Sequence, residues 1–357
     1  MQVLIHLEKL RHNLAFIRDI CRRAGLAPVW ITKGCQAHPA ILELLAETPR
    51  EMIGDVSPVN LERAHTLFPG RRMMVQLPDR RRVAAMASGA DIWLVSDPAH
   101  ARMIAAAAGN REPRPELLLM VDVGNRREGV PPDRIVATAD AIRAVEGVFL
   151  VGLGTSVGCY GGYRAGGADM QRLVDIAAKT EGALGCRFEW LSVGSGTMLL
   201  ETVAQGRMPD RINQLRIGAA LLVGEMPPTR NAIPGLFQDA FIFQGEVLET
   251  SLKPSLPAGG TGFDAFGKQV VFEDRGLRQF CILNFGLLDV DAYDLGPLTE
   301  GLRIVGATSN YTICDATRCT PQPAIGDTLA FRMAYSSMAR AMASDDVGKV
   351  VVLPGQA

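Results

Sequence analysis

Eight apolar runs of strand length, each followed by a stretch of helical periodicity, occupy the chain between about residues 28 and 222. The runs are PVWITK, EMIGDV, RRMMVQL, DIWLVS, ELLLMVDVG, GVFLVGLGT, FEWLSVGSG and QLRIGAALL. Between them lie HPAILELLAE, NLERAHTLF, DRRRVAAMA, DPAHARMIAAAA, PPDRIVATADAIRAV and GADMQRLVDIAAKTEGAL, which have the length of crossover helices. A strand that must return parallel to its neighbour needs such a crossover, so the alternation predicts a parallel sheet. Eight units match a closed barrel near the lower end of its usual ~200–250 residues. An open doubly wound sheet competes with it, but no G-x-G-x-x-G follows the first run.

Outside these runs the texture differs. A short strand, Val3 to Leu7, precedes the amphipathic stretch LEKLRHNLAFIRDICRRAG, with Gly25 at its stop. Beyond Glu225 come LFQDAFIFQGEVLET, KQVVFED, FCILNFGLLDVDAYD, LRIVGATSNYTICDA and DTLAFRMAY, strand-like and broken by Pro and Gly. The expected architecture is α/β: an eight-stranded parallel β/α barrel of the TIM type over residues 8–225, followed by a mainly β C-terminal domain. That second domain comprises residues 1–7 and 235–357, and MPPTRNAIPG (226–235) is the junction.

Composition narrows the function. With 37 basic against 38 acidic residues the chain has no net field for a polyanion or an anionic membrane, so nucleic acid and membrane are not expected partners. Hydrophobic residues at 48% and charged residues at 21% describe a soluble globular enzyme. The seven cysteines are odd in number and lack a C-x-x-C, which predicts free thiols in a reducing compartment. MQVLIHLEKL has no basic segment leading an apolar one, and no run approaches the ~18 apolar residues of a membrane span, so a cytoplasmic protein is expected.

Parallel barrels place chemistry where their strands end. The first run closes on Lys33, one of only six lysines in an arginine-rich chain. A solvated lysine is one reading of that position; an amine of lowered pKa through partial burial, suited to a Schiff base, is the other. The fifth run leads into NRREGV with Arg126 and Arg127, and the seventh into a Gly-Ser-Gly-Thr turn that opens a helix. The eighth carries Arg216 between Leu215 and Ile217, where a charge needs partners. Loops after strands seven and eight commonly cradle a phosphate, and Gly196, Thr197, Gly218 and Ala219 can supply N–H groups and a hydroxyl. A phosphate there, a lysine across the mouth and a nearby arginine point to pyridoxal phosphate; a different phosphate ester, with Lys33 as a binding charge, is the alternative. No metal cluster is expected. All five histidines (His6, His12, His38, His65, His100) fall in the first hundred residues, so proton chemistry further along must use other groups.

These strand ends, with GLGTSVGCYGG, NQLRIGAALLVGE and a C-terminal β domain, resemble the alanine racemase superfamily of fold-type III pyridoxal-phosphate enzymes. KPSLPAGGTGFDAFGK, LLDVD and IVGATSNYTICDAT are similar to its ornithine racemase branch. The resemblance implies a cytoplasmic amino-acid racemase or epimerase that inverts Cα of a free amino acid by a two-base mechanism, working as a head-to-tail homodimer with shared active sites. It makes Lys33 the Schiff-base lysine and a proton-transfer base, places Arg127 beside the cofactor ring and sets Arg216 on the pyridine nitrogen. Ser195, Gly196, Thr197, Gly218 and Ala219 fall at the phosphate, with Tyr335 as a further contact. An arginine keeps the pyridine nitrogen unprotonated, which restrains side reactions and suits return of the proton to the same carbon.

The chain also departs from the pattern. Ser156 stands where alanine racemases have histidine and the ornithine branch asparagine, and Ala37 replaces a phosphate-binding tyrosine. Asn310, followed by Tyr311, replaces an aspartate that a distal substrate amine would want. The second base is sought among Asp264, Tyr311, Cys159 and Tyr160. Asp264 could equally be a solvated turn residue, and Cys159 a buried small hydrophobe. Asp122 is expected to orient backbone or an arginine. Rival functions are a fold-type III decarboxylase or aldolase, a pyridoxal-phosphate carrier, and an amino-acid-binding protein without turnover.

Overall fold

The eight apolar runs form the eight strands of one closed, all-parallel barrel. In the computed structural model β1 (Gln2–His6) and α1 (Leu7–Arg23) open the chain, and the barrel strands follow. They are β2 (Ala27–Ile31), β3 (Met52–Asp55), β4 (Arg71–Met74), β5 (Ile92–Val95), β6 (Glu116–Met120), β7 (Phe149–Ser156), β8 (Trp190–Gly194) and β9 (Gln214–Ile217). Closure comes from β2, which pairs with β3 on one side and, through Trp30 opposite Ile217, with β9 on the other. The described residues are 1–357 except 49–50, 87–88, 159, 161, 164, 227–228, 264–265, 268, 270, 354 and 356–357. They divide into two units, Arg11–Leu236 and Met1–Leu10 with Phe237–Ala357. No described helix is long and apolar enough to cross a membrane.

The strands read as continuous apolar runs because both of their faces are covered. Val29, Met52, Met73, Ile92, Leu94, Leu118 and Met120 pack together as one buried cluster, with methionines filling its irregular gaps. The crossover helices are α2 (Pro39–Ala46), α3 (Pro58–Leu67), α4 (Arg80–Met86), α5 (Pro98–Ala108), α6 (Ile135–Arg143), α7 (Gly167–Leu184), α8 (Gly196–Ala204) and α9 (Ala219–Val223). Local chemistry starts several of them: Ser57 Oγ accepts from Asn60 N at 3.5 Å ahead of Pro58, and Asp97 Oδ1 accepts from Ala99 N at 2.8 Å ahead of Pro98. Since all eight strands run the same way, their C-terminal ends form one rim.

The second unit is built on a single sheet. After the short pair β10 (Glu225–Met226) and β11 (Asn231–Ala232), its strands are β12 (Phe241–Pro254), β13 (Leu277–Leu283), β14 (Leu295–Pro297), β15 (Arg303–Ala307), β16 (Thr312–Asp315), β17 (Thr328–Met333) and β18 (Gly348–Val352), with α10 (Tyr335–Ala343). The order β14-β17-β12-β13-β16-β15 is extended by β1, which joins β12 and β18. The long β12 serves both halves: Ile242 to Glu246 pair with β17, and Val247 to Pro254 pair with β13, with a bulge between Val247 and Glu249. Beside Gly245 of β12, Phe285 lies edge-on to Phe243 and Phe331, with ring centroids 4.8 Å and 5.6 Å away. A Cβ on Gly245 would fall 2.5 Å from the Phe285 ring. Because Phe285 is fully buried, Phe285→Ala should destabilise this unit by about 3–5 kcal/mol. Urea unfolding followed by circular dichroism checks this, and an unchanged midpoint would contradict it.

Candidate active site

The rim is built from the turns that follow β2, β6, β7, β8 and β9. Strand β2 stops at Ile31, so Lys33 does not close the strand but opens a 3-10 turn, Lys33–Cys35. There Lys33 is exposed, which favours the solvated reading of that position over partial burial: the turn lies beyond the last residue of the strand ladder. Its surroundings are nonetheless fixed. Thr32 is buried and donates through Oγ1 to Asp55 Oδ2 at 2.6 Å. Oδ1 of Asp55 accepts from Val56 N at 2.7 Å, Ser57 N at 2.9 Å and Asn60 Nδ2 at 3.1 Å. Burial pushes the Asp55 carboxyl above the usual carboxylate range, against the opposing pull of these hydrogen bonds. Downstream, Gln36 and Ala37 have φ of 53° and 46°, a left-handed pair of non-glycine residues. Gln36 Nε2 donates to Lys33 O at 2.9 Å and Arg63 Nη1 to Gln36 O at 2.7 Å, which hold that conformation.

Across the rim β8 ends in Gly194, and Ser195 turns the chain with φ of 60° into α8. Gly196 is a place where only hydrogen fits: a Cβ would lie 2.9 Å from Ile217 Cγ1 and 3.0 Å from Arg216 O. That close approach sets the start of α8 against the end of β9. Thr197, buried, accepts from Ala220 N at 3.2 Å and so keeps its own hydroxyl proton to donate elsewhere. Ser195, Gly196, Thr197, Gly218 and Ala219 are thereby gathered at the ends of two adjacent strands, which pair in register at Ser192–Gln214 and Val193–Leu215.

Arg216 is 4% exposed. Nη1 donates to Ser192 Oγ at 2.8 Å, and Nη2 to Thr155 O at 2.6 Å and Ser156 Oγ at 3.3 Å. Two glycines make room for it: a Cβ at 194 would lie 2.6 Å from Nη2, and one at 154 would lie 3.4 Å from Nη1. On the loop after β6, Arg127 donates to the Glu128 carboxylate through Nε and Nη2. Burial would raise the Glu128 carboxyl, but the Arg127 guanidinium beside it outweighs burial and holds the group below its usual range. Asp122 orients backbone, accepting from Gly124 N at 2.9 Å and Arg126 N at 3.0 Å. Asn125, also on this loop, is 5% exposed with neither amide atom paired.

The remaining candidates fall elsewhere. Tyr160 is exposed, and Cys159 and Asp264 lie outside the described residues. Asn310, Tyr311 and Tyr335 belong to the second unit. Asn310 Oδ1 accepts from the Thr308 and Ser309 hydroxyls at 3.4 Å and 3.3 Å, and Tyr311 is 43% exposed. Tyr335 opens α10 rather than ending a strand, because Met338, Ala341 and Met342 give that segment a buried helical face. Among the described residues no group of three or more His, Cys, Asp or Glu could hold a metal ion. Sequence reasoning passed over Asp55, Glu128, Ser192 and Gly194. A signal existed for Asp55, an acid within the apolar run EMIGDV, where a charge needs partners.

Residues 5–226 match the family described as alanine racemase, N-terminal domain. The chain is 32% identical over 350 residues to a lysine racemase of Thermotoga maritima, spanning 98% of each chain. It is 28% identical over 349 residues to an ornithine racemase of Acetoanaerobium sticklandii, again spanning 98% of each. The solved structure of a D-threonine aldolase from Filomicrobium marinum superposes with a TM-score of 0.72 at 16% identity, covering 96% of this chain and 88% of that one, a likeness of fold. With the barrel, its rim and matches along nearly the whole length in agreement, the chain belongs to the alanine racemase family and is an amino-acid racemase.

Proposed function

We propose that the protein interconverts the enantiomers of a free basic amino acid, lysine or ornithine, using pyridoxal phosphate held at the barrel rim. The observation that carries the reading is the seat of Arg216, a buried guanidinium donating to Thr155, Ser156 and Ser192 at the rim. An arginine there can donate to a ring nitrogen but cannot protonate it, which favours a racemase over chemistries that need a stronger electron sink. The full-length matches to lysine and ornithine racemases support the substrate class.

The residues present fit the cofactor. The close approach that only a glycine at 196 permits sets the first turn of α8 beside the end of β9, and the N–H groups of Gly196, Thr197, Gly218 and Ala219 with the Thr197 hydroxyl match a phosphate. Ser195 shapes that turn. Pyridoxal phosphate supplies the aldehyde that joins an amine and the conjugated ring that accepts the electron pair left at Cα. Lys33 provides the amine that anchors the cofactor and then moves a proton at Cα on one face. Arg127, on the loop after β6, would sit beside the ring. Asp264, Tyr311, Cys159 and Tyr160 are the candidates for the proton on the other face, and a head-to-tail homodimer completes the site.

Two measurements test the reading. The protein incubated with pyridoxal phosphate should show the visible absorption of lysine-bound cofactor, lost in Lys33→Ala together with about 10³-fold or more of the activity. In D₂O, NMR should show deuterium entering Cα of lysine or ornithine with inversion of configuration. Exchange without inversion, or none with any amino acid, would sink the racemase reading.

A further inference from the structure

We propose that Asn125, on the loop after β6, is the residue that receives the α-carboxylate of the substrate. The inference deepens the reading above and rests on it, since it takes an amino acid as the substrate and the barrel mouth as its place.

The loop from 121 to 130 is built to hold one conformation. Its ends meet: Val121 bridges Val130, and Asp122 N donates to Val130 O at 3.1 Å. Gly129, with φ of 135°, approaches Asp122 so closely that a Cβ there would fall 2.5 Å from Asp122 N. Within the loop, Asp122 Oδ1 accepts from Gly124 N at 2.9 Å and Arg126 N at 3.0 Å, the two residues that flank Asn125. Both flanking residues have positive φ, 130° and 59°, and at Arg126, which carries a Cβ, that conformation is strained. From α7, Arg172 Nη1 donates to Val123 O at 2.8 Å. One carboxylate and one guanidinium therefore fix the backbone around a single asparagine.

The group so positioned is an unsatisfied carboxamide. Asn125 is 5% exposed whereas Gly124 and Arg126 are exposed, so its side chain is turned beneath the loop rather than out to water. Neither Nδ2 nor Oδ1 has a hydrogen-bond partner among the described residues. A buried orphaned amide and a strained neighbour both oppose folding, and the two together mark a place where a ligand supplies the missing bonds.

The origin of the loop says which ligand group that is. Met120, the last residue of β6, shares the space cleared by Gly154 with Arg216: a Cβ at 154 would lie 3.0 Å from Met120 Sδ and 3.4 Å from Arg216 Nη1. The loop thus springs from beside the guanidinium that serves the cofactor ring in the reading above. The α-carboxylate is one bond from the reacting carbon and belongs at that depth, whereas the side-chain ammonium of lysine or ornithine is several bonds further out. Through Nδ2 a carboxamide has two N–H donors to offer a carboxylate.

The test has one arm without cofactor and one with it. In the cofactor-free protein Asn125→Leu, which keeps the approximate shape and removes both orphaned atoms, should unfold in urea at a midpoint no lower than that of wild type. A lower midpoint would make Asn125 a structural brace and overturn the proposal. In protein loaded with pyridoxal phosphate, binding of lysine and ornithine is compared with that of cadaverine and putrescine, the same molecules without the α-carboxylate, each followed by the cofactor's visible absorption. Asn125→Leu should weaken the amino acid about ten- to hundredfold, the worth of a hydrogen bond to a charged group, and leave its diamine within about twofold. Asn125→Asp, the same shape with a charge like that of the ligand, should weaken the amino acid further and not weaken the diamine. Amino acid bound as in wild type by both variants would overturn the proposal. Equal weakening of amino acid and diamine would also overturn it, placing Asn125 at the side-chain ammonium or at the cofactor; absorption altered before any substrate is added singles out the cofactor. Wild type that fails to bind the cofactor or either amino acid would overturn the functional reading together with this inference, whereas wild type that binds both and variants that match it would overturn this inference alone.

Discussion

Gly194→Ala is expected to cut turnover by about two orders of magnitude, the usual loss when one preorganised donor is misplaced, while the barrel stays folded. The added methyl would meet Arg216 Nη2 at 2.6 Å, Ser156 Oγ at 2.8 Å and Arg216 Nε at 3.2 Å. An arginine tip on a protein surface would swing aside at little cost. Arg216 cannot, because it is 4% exposed and tied to Thr155 O, Ser156 Oγ and Ser192 Oγ. To make room it must abandon Thr155 or Ser156, and either move withdraws it from the geometry the site needs. The backbone imposes no such penalty, since Gly194 is the last residue of β8 and is not among the positive-φ glycines. Steady-state turnover and the unfolding midpoint, measured side by side, separate the two effects. Normal turnover in Gly194→Ala would show that Arg216 need not sit where it does.

That glycine illustrates which parts of the site could be read from the sequence. The eight strands were legible because a barrel strand covered on both faces is apolar at nearly every position, and such runs survive without any knowledge of partners. Lys33 and Arg216 were legible for the same reason, as charges interrupting those runs. The exposure of Lys33 was not, because it depends on β2 ending at Ile31 rather than at the last residue of PVWITK. Gly194 stayed silent since its role is set by inter-strand register: Ser156 and Gly194 are opposed in the β7–β8 ladder, 38 positions apart in the chain. Tyr335 was misplaced because AYSSMARAMA follows an alternating strand without a Gly or Pro break, and its helical face emerges only from the burial of Met338, Ala341 and Met342.

Asp55→Ala should destabilise the protein by about 4 kcal/mol and loosen its hold on the cofactor. The carboxylate collects four donors, the Thr32 hydroxyl, Val56 N, Ser57 N and Asn60 Nδ2, and removing it strands them in a site where Asp55 itself is fully buried. Hydrogen bonds to a buried charge are each worth about 1.5–3 kcal/mol, and partial reorganisation recovers some of that sum. Thr32 immediately precedes Lys33, so the loss falls on the turn that carries the lysine, whose next residues Gln36 and Ala37 already sit at left-handed φ. Asp55→Asn separates charge from shape, since it keeps an acceptor oxygen but does not titrate. Burial raises the folded-state pKa of Asp55 above its ordinary 3.8, so the native state binds more protons than the unfolded chain between those two values. Stability contributed by Asp55 therefore falls as pH rises from about 3.8 through the folded pKa. The stability of Asp55→Asn relative to wild type should accordingly increase across that window and then level off. Urea unfolding of both proteins over a pH series measures this, and cofactor retained after dialysis measures the effect on Lys33. A flat difference across pH would mean that the carboxyl titrates alike in both states, and full retention in Asp55→Ala would free the lysine turn from this support.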